Sequence, residues 1–375
     1  MTHAANVWTS ADPIGQRWRR VAELHGLVGI AHLIRGEPMP SLVQFVDGLT
    51  GPLAPLLPAA VRQACDDVLL IEQDQLSPAA ADLLMENLAP SLAPHDVAGW
   101  SIPQLGAEKV QGWLYGQLLD TGSEDGYRRA RETVIGNAAG VMHVVLDAIK
   151  AAGLPRDGLV EQIPAWAWVF HEGERYWFGC PVCRYPMKAQ LGRVTCLYPP
   201  HDKAIGGPVT VRTPKRRPPN VGAWNQQRVA DLGGIGVIQA ATVEGHVCLV
   251  RPAWRYSVIP GCEEIRLYKL LTAMPDVSVT LWPYTDRYDL HVEAGGRRAP
   301  WRVDVKDYAD PARLVTELLK KDAVRDTSVV IVVPDYRSSQ VGVLNERLRQ
   351  QLGTRRTVAM TSAVFLKTVA KAVGA

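Results

Sequence analysis

The sequence lacks the features that would place it in a membrane or in a secretory pathway. No apolar run reaches the roughly 18 residues that a membrane-spanning helix needs. The first residues, MTHAANVWTSADP, lack the charged-then-apolar order of a signal peptide. Six cysteines in 375 residues do not suggest a disulfide scaffold. We therefore expect a cytoplasmic protein without membrane contact, whose cysteines stay thiols or bind a metal.

The composition is that of a soluble globular protein, with 47% hydrophobic and 21% charged residues, and the length suffices for two or three domains. The charge is unevenly distributed. Residues 1–160 carry 11 Lys and Arg against 18 Asp and Glu, residues 161–259 carry 12 against 6, and residues 260–375 carry 18 against 14. The basic excess lies in the second half, which is where a polyanion would bind.

The patterns predict an α+β multidomain protein in three parts. Residues 1–160 show Leu and Ala at helical spacing and no phosphate loop, which predicts a helical interaction domain. The arginines of its segment GYRRAR, 126–131, are interpreted as a solvated helix face. Residues 161–260 predict a zinc-ribbon-like β module with a basic loop, and the stretch 202–228, rich in Pro, Gly and basic residues, is interpreted as a linker or long loop. Residues 261–375 predict an α/β core with the order α-β-β-β-α-β-β-α.

A cysteine cluster in the middle part has metal-ligand spacing. Cys180 and Cys183 form a Cys-Pro-x-Cys knuckle, Cys196 follows after twelve residues, and His201 follows after four more. Two close pairs separated by a β-hairpin length predict one structural Zn²⁺ site. Buried thiols and a redox Cys-x-x-Cys are the alternatives. Three further residues are candidates for the fourth ligand: His246, Cys248 and Cys262.

The region around this cluster is basic. From residue 170 to residue 228 there are ten Lys and Arg against three Asp and Glu. The aromatic residues interleaved with them are Tyr176, Trp177, Tyr185 and Tyr198. Basic charge with aromatics is typical of nucleic-acid binding, by phosphate contacts and by stacking. The densest cluster of cations is Lys215, Arg216 and Arg217, which predicts the phosphate contact. A solvated loop above an aromatic ribbon core is the alternative.

The segment RYDLHVEAGGRRAPWRVDVKDY, 287–308, contains two apolar–polar alternations around a glycine turn. Because side chains alternate between the faces of a strand, a paired hairpin would place Asp289, Asp304 and Lys306 on one face. Any half-exposed hairpin shows this alternation, so the pattern alone does not decide between a metal site and a structural element. The neighbours favour a site: a helix carrying Glu264 on its packed face precedes the hairpin, and a helix starting at Asp310 and Pro311 follows it.

The residue order helix–hairpin–helix–strand resembles the restriction-endonuclease-like, PD-(D/E)xK fold over residues 261–375. More narrowly, residues 264–314 resemble the restriction-endonuclease-like (REase-like) protein encoded beside prokaryotic PIWI/Argonaute-type proteins (pPIWI-RE) in three-gene defence islands. The knuckle CPVCRYPM, 180–187, and the helix GYRRAR upstream are similar to that family as well. The resemblance implies a metal-dependent DNA endonuclease that works with PIWI/Argonaute-like and helicase-type partners in antiviral defence.

The resemblance also assigns roles by position. Glu264 is the acidic residue of the first helix, Asp289 that of the second strand, and Asp304 and Lys306 the D-x-K pair. Asp289, Asp304 and the Val305 carbonyl would hold Mg²⁺ or Mn²⁺, because hard cations prefer oxygen ligands. Glu264 would bind a second ion or hold a water, and Lys306 would orient the attacking water. The alternative function is a zinc-containing nucleic-acid-binding adaptor with an inactive nuclease fold.

Overall fold

The structure is a computed structural model. It describes the following residues: 1–10, 12–33, 36–57, 69–72, 74–77, 80, 113–235, 237–295, 299–308, 311–320, 329–352 and 359–374. The chain divides into two compact units, Met1–Ala89 and Pro90–Ala375. The three predicted domain boundaries stay a prediction. No helix in the described part of the chain is long and apolar enough to cross a membrane.

The first unit is mainly helical. Its helices are α1 (Thr2–Trp8), α2 (Ile14–Leu33) and α3 (Leu42–Gly48), followed by a 3-10 turn (Ala54–Leu56) and a hairpin of β1 (Ile71–Glu72) and β2 (Gln75–Leu76). Phe45, Leu49 and Leu70 are fully buried in its core. Ser41 and Gln44 form a capping box that fixes where α3 begins. The sequence analysis also predicted helices after this hairpin, but residues 81–112 lie outside the described residues.

The described residues in the first part of the second unit include two complete helices and a small sheet. Ser123 caps α4 (Glu124–Gly136), and α5 (Met142–Ala151) ends just before Gly153, whose φ of 76° continues the chain in the left-handed region. Between these helices runs β3 (Ala139–Val141). It pairs with β12 (His246–Leu249), which also pairs with β4 (Val160–Gln162).

The cysteine region is built from two antiparallel sheets. The first has the order β11-β6-β5, from β5 (Val169–His171), β6 (Glu174–Phe178) and β11 (Ala240–Thr242). The second has the order β10-β9-β8-β7, from β7 (Lys188–Gln190), β8 (Arg193–Thr195), β9 (Val209–Arg212) and β10 (Asn220–Val221). Helices α6 (Pro199–Ile205) and α7 (Gln226–Asp231) accompany the second sheet.

The prediction that 202–228 is a linker or long loop is wrong for much of its length, because it contains the end of α6, both β9 and β10, and the start of α7. Proline and glycine are typical of loops, but here they lie between short elements. Val209 is buried and Val211 half-buried, and these alternate positions are enough to hold β9 in the sheet.

The last part of the second unit is an α/β layer. Helix α8 (Arg251–Ala253) continues through a π-helical turn (Trp254–Val258) into α9 (Ile259–Thr272). A five-stranded mixed sheet follows, with the order β13-β14-β15-β16-β17. Its strands are β13 (Val277–Leu281), β14 (Leu290–Ala294), β15 (Trp301–Val305), β16 (Val329–Val333) and β17 (Ala359–Thr361). The helical elements around the sheet are α10 (Pro283–Asp286), α11 (Pro311–Lys320), a 3-10 turn (Asp335–Arg337), α12 (Gln340–Leu352) and α13 (Ser362–Ala372).

The predicted order is confirmed except for two elements that the sequence analysis did not assign. One is the short α10 between β13 and β14, in which Tyr284 and Thr285 do not have helical backbone angles, and the other is α12 between β16 and β17. Strand β15 lies in the middle of the sheet, antiparallel to β14 and parallel to β16. The apolar run of β16 is buried as predicted for a strand covered on both faces. Helix α11 begins at Pro311 as predicted, whereas its predicted cap Asp310 lies outside the described residues.

Candidate functional site

The hairpin 287–308 has the predicted alternation. Leu290, Val292, Val303 and Val305 are buried, while the residues between them are half-buried or exposed. The register pairs Leu290 with Val303, and the Asp289 amide donates to the Val303 carbonyl at 2.9 Å. The hairpin therefore brings the side chains on either side of this pair together at one end of the two strands. The turn residues 296–298 lie outside the described part of the chain.

Asp289, Asp304 and Lys306 converge at that end. One Asp289 oxygen, Oδ2, accepts a hydrogen bond from the Val305 amide at 2.6 Å and lies 4.0 Å from Lys306 Nζ. Lys306 also makes an ion pair with Asp304 Oδ1. The Lys306 amide donates to the Val332 carbonyl of β16 at 2.8 Å, which anchors the lysine to the central sheet. The structure thus places two carboxylates and one ammonium group within contact distance, as the sequence predicted.

The charges of this group are strongly coupled. Burial, together with the charge of Glu264, raises the pKa of Asp289 well above its usual value. Burial by itself lowers the pKa of Lys306, but the Asp304 and Asp289 carboxylates outweigh it and raise that pKa above its usual value. The lysine therefore stays charged. A further cation nearby would favour the ionised form of the buried Asp289 carboxyl group.

Glu264 lies on the packed face of α9 and is 2% exposed. Arg131 donates to both of its oxygens, at 3.0 and 2.8 Å, and Trp282 Nε1 donates to Oε2 at 2.6 Å. Its carboxylate is therefore held by protein donors. The predicted role of Glu264 in holding a second ion or a water stays a prediction. Next to it lies a residue that the sequence analysis did not select as part of the site.

That residue is Arg131 of α4, which was interpreted as part of a solvated helix face. This interpretation is wrong for Arg131: it is 8% exposed, and besides Glu264 it makes an ion pair with Asp286. Its guanidinium lies 4.6 Å from the centroid of the Trp282 ring. Tyr127, one helical turn earlier, donates to Asp286 Oδ2 at 2.9 Å. The spacing of four between Tyr127 and Arg131 was the available signal, since it puts both side chains on one face.

The second cluster is the predicted metal centre. Cys180, Cys183, Cys196 and His201 are all buried, and their ligand atoms lie within 4.8 Å of one another. Among the residues that the structure describes, it is the one group of three or more such side chains at metal-binding distances. The alternatives for the fourth ligand are not part of it: Cys248 Sγ lies 3.9 Å from the Gln162 carbonyl and Cys262 Sγ lies 4.0 Å from that of Val182.

Local structure explains how these four side chains meet. The Cys180 amide donates to the Tyr185 carbonyl, and the Arg184 amide donates to the Cys180 carbonyl, so the knuckle closes on itself. Arg184 adopts a left-handed φ of 61° to allow this turn. Cys196 follows β8 directly, and its amide donates to Asp202 of α6 at 3.2 Å.

The residues of this cluster fit a cation. His201 Nδ1 is buried without a hydrogen-bond partner, as a ligand atom aimed at a metal would be. Burial raises the pKa of the Cys180 and Cys196 thiols, so thiolates at these positions need a compensating positive charge. The cluster can hold a metal such as zinc.

Three of the four aromatic residues around the cluster are not available for stacking on bases, whereas Tyr176 is half-buried. Trp177, Tyr185 and Tyr198 are buried, and Tyr185 stacks on Trp254 with ring centroids 4.5 Å apart. The interpretation of these three as nucleic-acid contacts is therefore wrong, and they form the core of the module. Tyr198 instead donates a hydrogen bond to Asp307, the residue that follows Lys306.

The basic cluster lies at the turn between β9 and β10. Lys215, Arg216 and Arg217 are all exposed. The turn backbone is held from the β5–β6 hairpin: Glu172 accepts from the Arg216 amide at 2.8 Å, and His171 Nε2 lies 3.0 Å from the Pro214 carbonyl. The three cations therefore sit in water on a turn whose backbone is held, and their contact with phosphate stays a prediction.

Comparison with known proteins identifies one related family. Residues 261–375 match the family model described as "REase associating with pPIWI_RE". The resemblance predicted from the sequence is confirmed for this region, and the description implies the PD-(D/E)xK superfamily. No curated protein and no solved structure matches the chain. The matched region contains Glu264, Asp289, Asp304 and Lys306, whereas Arg131 and the cysteine cluster precede it.

Proposed function

We propose that this protein is a divalent-metal-dependent DNA endonuclease of a prokaryotic defence system, working with PIWI/Argonaute-like and helicase-type partners. The observation that carries the proposal is the convergence of Asp289, Asp304 and Lys306 at the end of β14 and β15. The family description of residues 261–375 supports both the reaction class and the kind of partner.

The acidic residues at the site fit a hard divalent cation. Four carboxylates, those of Glu264, Asp286, Asp289 and Asp304, are compensated by two cations, Arg131 and Lys306. The formal difference is two negative charges, which one Mg²⁺ or Mn²⁺ would balance. Asp289, Asp304 and the Val305 carbonyl would supply oxygen ligands, the chemistry such ions prefer. When bound, the ion would acidify a water molecule and offset the charge that grows on the phosphate.

The protein side chains have separate tasks in this reaction. The Val305 amide fixes the Asp289 carboxylate, and Asp304 fixes the Lys306 ammonium group. Lys306 donates hydrogen bonds to the attacking water and to a phosphate oxygen, stabilising the transition state. The water oxygen bonds to phosphorus and its proton passes to solvent. The P–O3′ bond breaks, and the leaving O3′ takes a proton from solvent, which gives a 3′-hydroxyl and a 5′-phosphate. His291, on the same face but bonded to Tyr288, is a neighbour rather than a base.

We also propose that the Cys₃His cluster holds a structural Zn²⁺. Three thiolates and one imidazole are a closed tetrahedral donor set, which is typical of structural zinc sites. The sheet β10-β9-β8-β7 has strands of two to four residues, so a bound ion would stabilise a module that is built from short elements.

Metal-dependent cleavage tests the proposed function directly. Supercoiled DNA incubated with the purified chain and its partner proteins should be nicked with Mg²⁺ or Mn²⁺ and left intact with EDTA. The products should carry 5′-phosphates. An absence of any metal-dependent cleavage in the complete reconstituted system would contradict the proposal and favour the DNA-binding adaptor.

The basic cluster provides a prediction on DNA binding. Reversing Lys215, Arg216 and Arg217 to glutamate should weaken DNA binding and make its salt dependence less steep, by up to about three in the log–log slope, because each lost phosphate contact removes about one released counterion. Fluorescence anisotropy over a range of salt concentrations measures both quantities.

A matched control keeps the total charge change constant. The exposed lysines Lys269, Lys367 and Lys371 can be reversed in the same way elsewhere in the second unit. If the two triple variants have the same affinity and the same salt slope, the turn makes no special phosphate contact.

A further inference from the structure

Side chains of helix α4 contact the turn that precedes the candidate active site in the chain. Arg128 Nε donates to the Leu281 carbonyl at 2.8 Å, where β13 ends. Tyr127 and Arg131 both bind Asp286 Oδ2, five residues further along. One face of α4 therefore holds both ends of the segment 281–286.

That segment has an unusual backbone. Trp282, Tyr284, Thr285 and Asp286 all have positive φ, between 47° and 70°. Residues with side chains rarely adopt this conformation, and each costs roughly 1 kcal/mol or more. Such a turn persists only when its surroundings fix it. Arg131 is the positively charged side chain that contacts Asp286 in the described part of the chain.

Trp282 connects the turn to the site through its backbone and through its side chain. The Trp282 amide donates to the Asp289 carbonyl at 2.8 Å, so a hydrogen bond joins the start of the turn to Asp289. The Trp282 ring donates to Glu264, and its face lies against the Arg131 guanidinium. Arg131 thus contacts Glu264, Asp286 and Trp282, which together frame Asp289.

From this geometry we infer that Arg131 is a positioning residue for the nuclease site. It holds the left-handed turn 282–286 through Asp286 and Trp282, and it fixes α9 to that turn through Glu264. By doing so it places the Asp289 carboxylate beside Asp304 and Lys306, where both acids can bind one cation. The inference rests on the proposed function, since it concerns the cation site of the same reaction.

Positioning and simple electrostatics predict opposite results. Removing a positive charge near an acidic site should tighten cation binding if the geometry is unchanged. If Arg131 instead places Asp289, then Arg131→Met should weaken cation binding although the site has become more negative. We expect the affinity for Mn²⁺ to fall at least about tenfold, the loss of one well-placed ligand interaction.

The experiment is a calorimetric titration of the folded, full-length protein with Mn²⁺. Asp304→Ala defines which part of the binding belongs to this site. Arg129→Met is the matched control, because Arg129 lies on the same helix, is exposed, and bonds within that helix to the Asp125 carbonyl. Arg131→Lys retains the charge but has one nitrogen, whereas Arg131 contacts Glu264 through Nη2 and Asp286 through Nη1. Its affinity should therefore lie between those of the wild type and Arg131→Met.

Folding is checked separately, because Arg131→Met leaves the buried Glu264 and the half-buried Asp286 without their cation. Thermal unfolding identifies a temperature at which each variant is folded. Should Arg131→Met not fold, the variant Arg131→Met/Glu264→Gln removes the unpaired charge on α9 and is titrated in its place, with Glu264→Gln alone as its reference.

Each outcome decides the inference. Weaker Mn²⁺ binding in the Arg131 variants, with Arg129→Met unchanged, supports it. Unchanged or tighter binding in folded Arg131→Met, or in its double variant, overturns it and leaves Arg131 a purely stabilising residue. If wild type and Asp304→Ala bind Mn²⁺ equally, there is no cation site at Asp304, and the proposed function fails together with the inference.

Discussion

Alanine in place of Lys306 should abolish DNA cleavage while the cation still binds. The ammonium group contacts Asp304 and lies 4.0 Å from Asp289 Oδ2, so it stands where the water and the phosphate would meet. Removing one preorganised donor from a transition state typically costs about 10²–10³ in rate. Because the two acids remain and lose a competing positive charge, Mn²⁺ affinity should be unchanged or higher.

The companion variant Asp304→Ala should separate binding of the cation from binding of DNA. It removes a carboxylate of the proposed cation site, so both cleavage and Mn²⁺ binding should be lost. DNA binding should persist or improve, because the site becomes less negative. Lys269→Ala, an exposed lysine in α9, is the control that should retain full activity. Cleavage by the reconstituted system that both Lys306→Ala and Asp304→Ala leave intact would make the hairpin a structural element.

The second large effect is expected at the cysteine cluster. Purified protein should contain about one zinc per chain, and replacing Cys180 and Cys183 with serine should remove it, since a structural zinc site needs its thiolates. Zinc bound in small modules contributes on the order of 10 kcal/mol to folding, so the module should unfold or become sensitive to proteases. Elemental analysis and limited proteolysis measure the two effects.

Cys262→Ser is the matched control for this variant. Cys262 is also a thiol of the second unit, but it lies outside the cluster, against the Val182 carbonyl. It should keep the zinc content of the wild type. Protein prepared without chelators that contains no zinc would contradict the assignment, and so would equal zinc content in the double serine variant.

Much of the site could be predicted from sequence because its pattern is local. Asp289, Asp304 and Lys306 are found by strand alternation within 22 residues, and pairing of the hairpin is enough to bring them together. The Cys₃His cluster is similarly local, since its ligands lie on a knuckle and on the strand and helix that follow it.

The parts that were missed depend on distant contacts or on burial. Arg131 contacts Glu264 across 133 positions, and the spacing of Tyr127 and Arg131 on one helix face does not indicate which distant residue that face meets. The aromatic residues Trp177, Tyr185 and Tyr198 have a composition typical of nucleic-acid contacts, but packing decides whether a ring faces bases or the core. The linker interpretation failed because strands as short as β9 and β10 are too brief to show a period.

The contacts between α4 and the turn 282–286 have a consequence for chimeras made from related proteins. The region that matches the family begins at residue 261, yet the partner of Glu264 and Asp286 lies in a helix that ends at Gly136. A chimera that transplants residues 261–375 alone would carry the buried Glu264 and the half-buried Asp286 into a host without their arginine. The segment that must be transplanted is therefore longer than the matched region, and a chimera with an intact site must include α4.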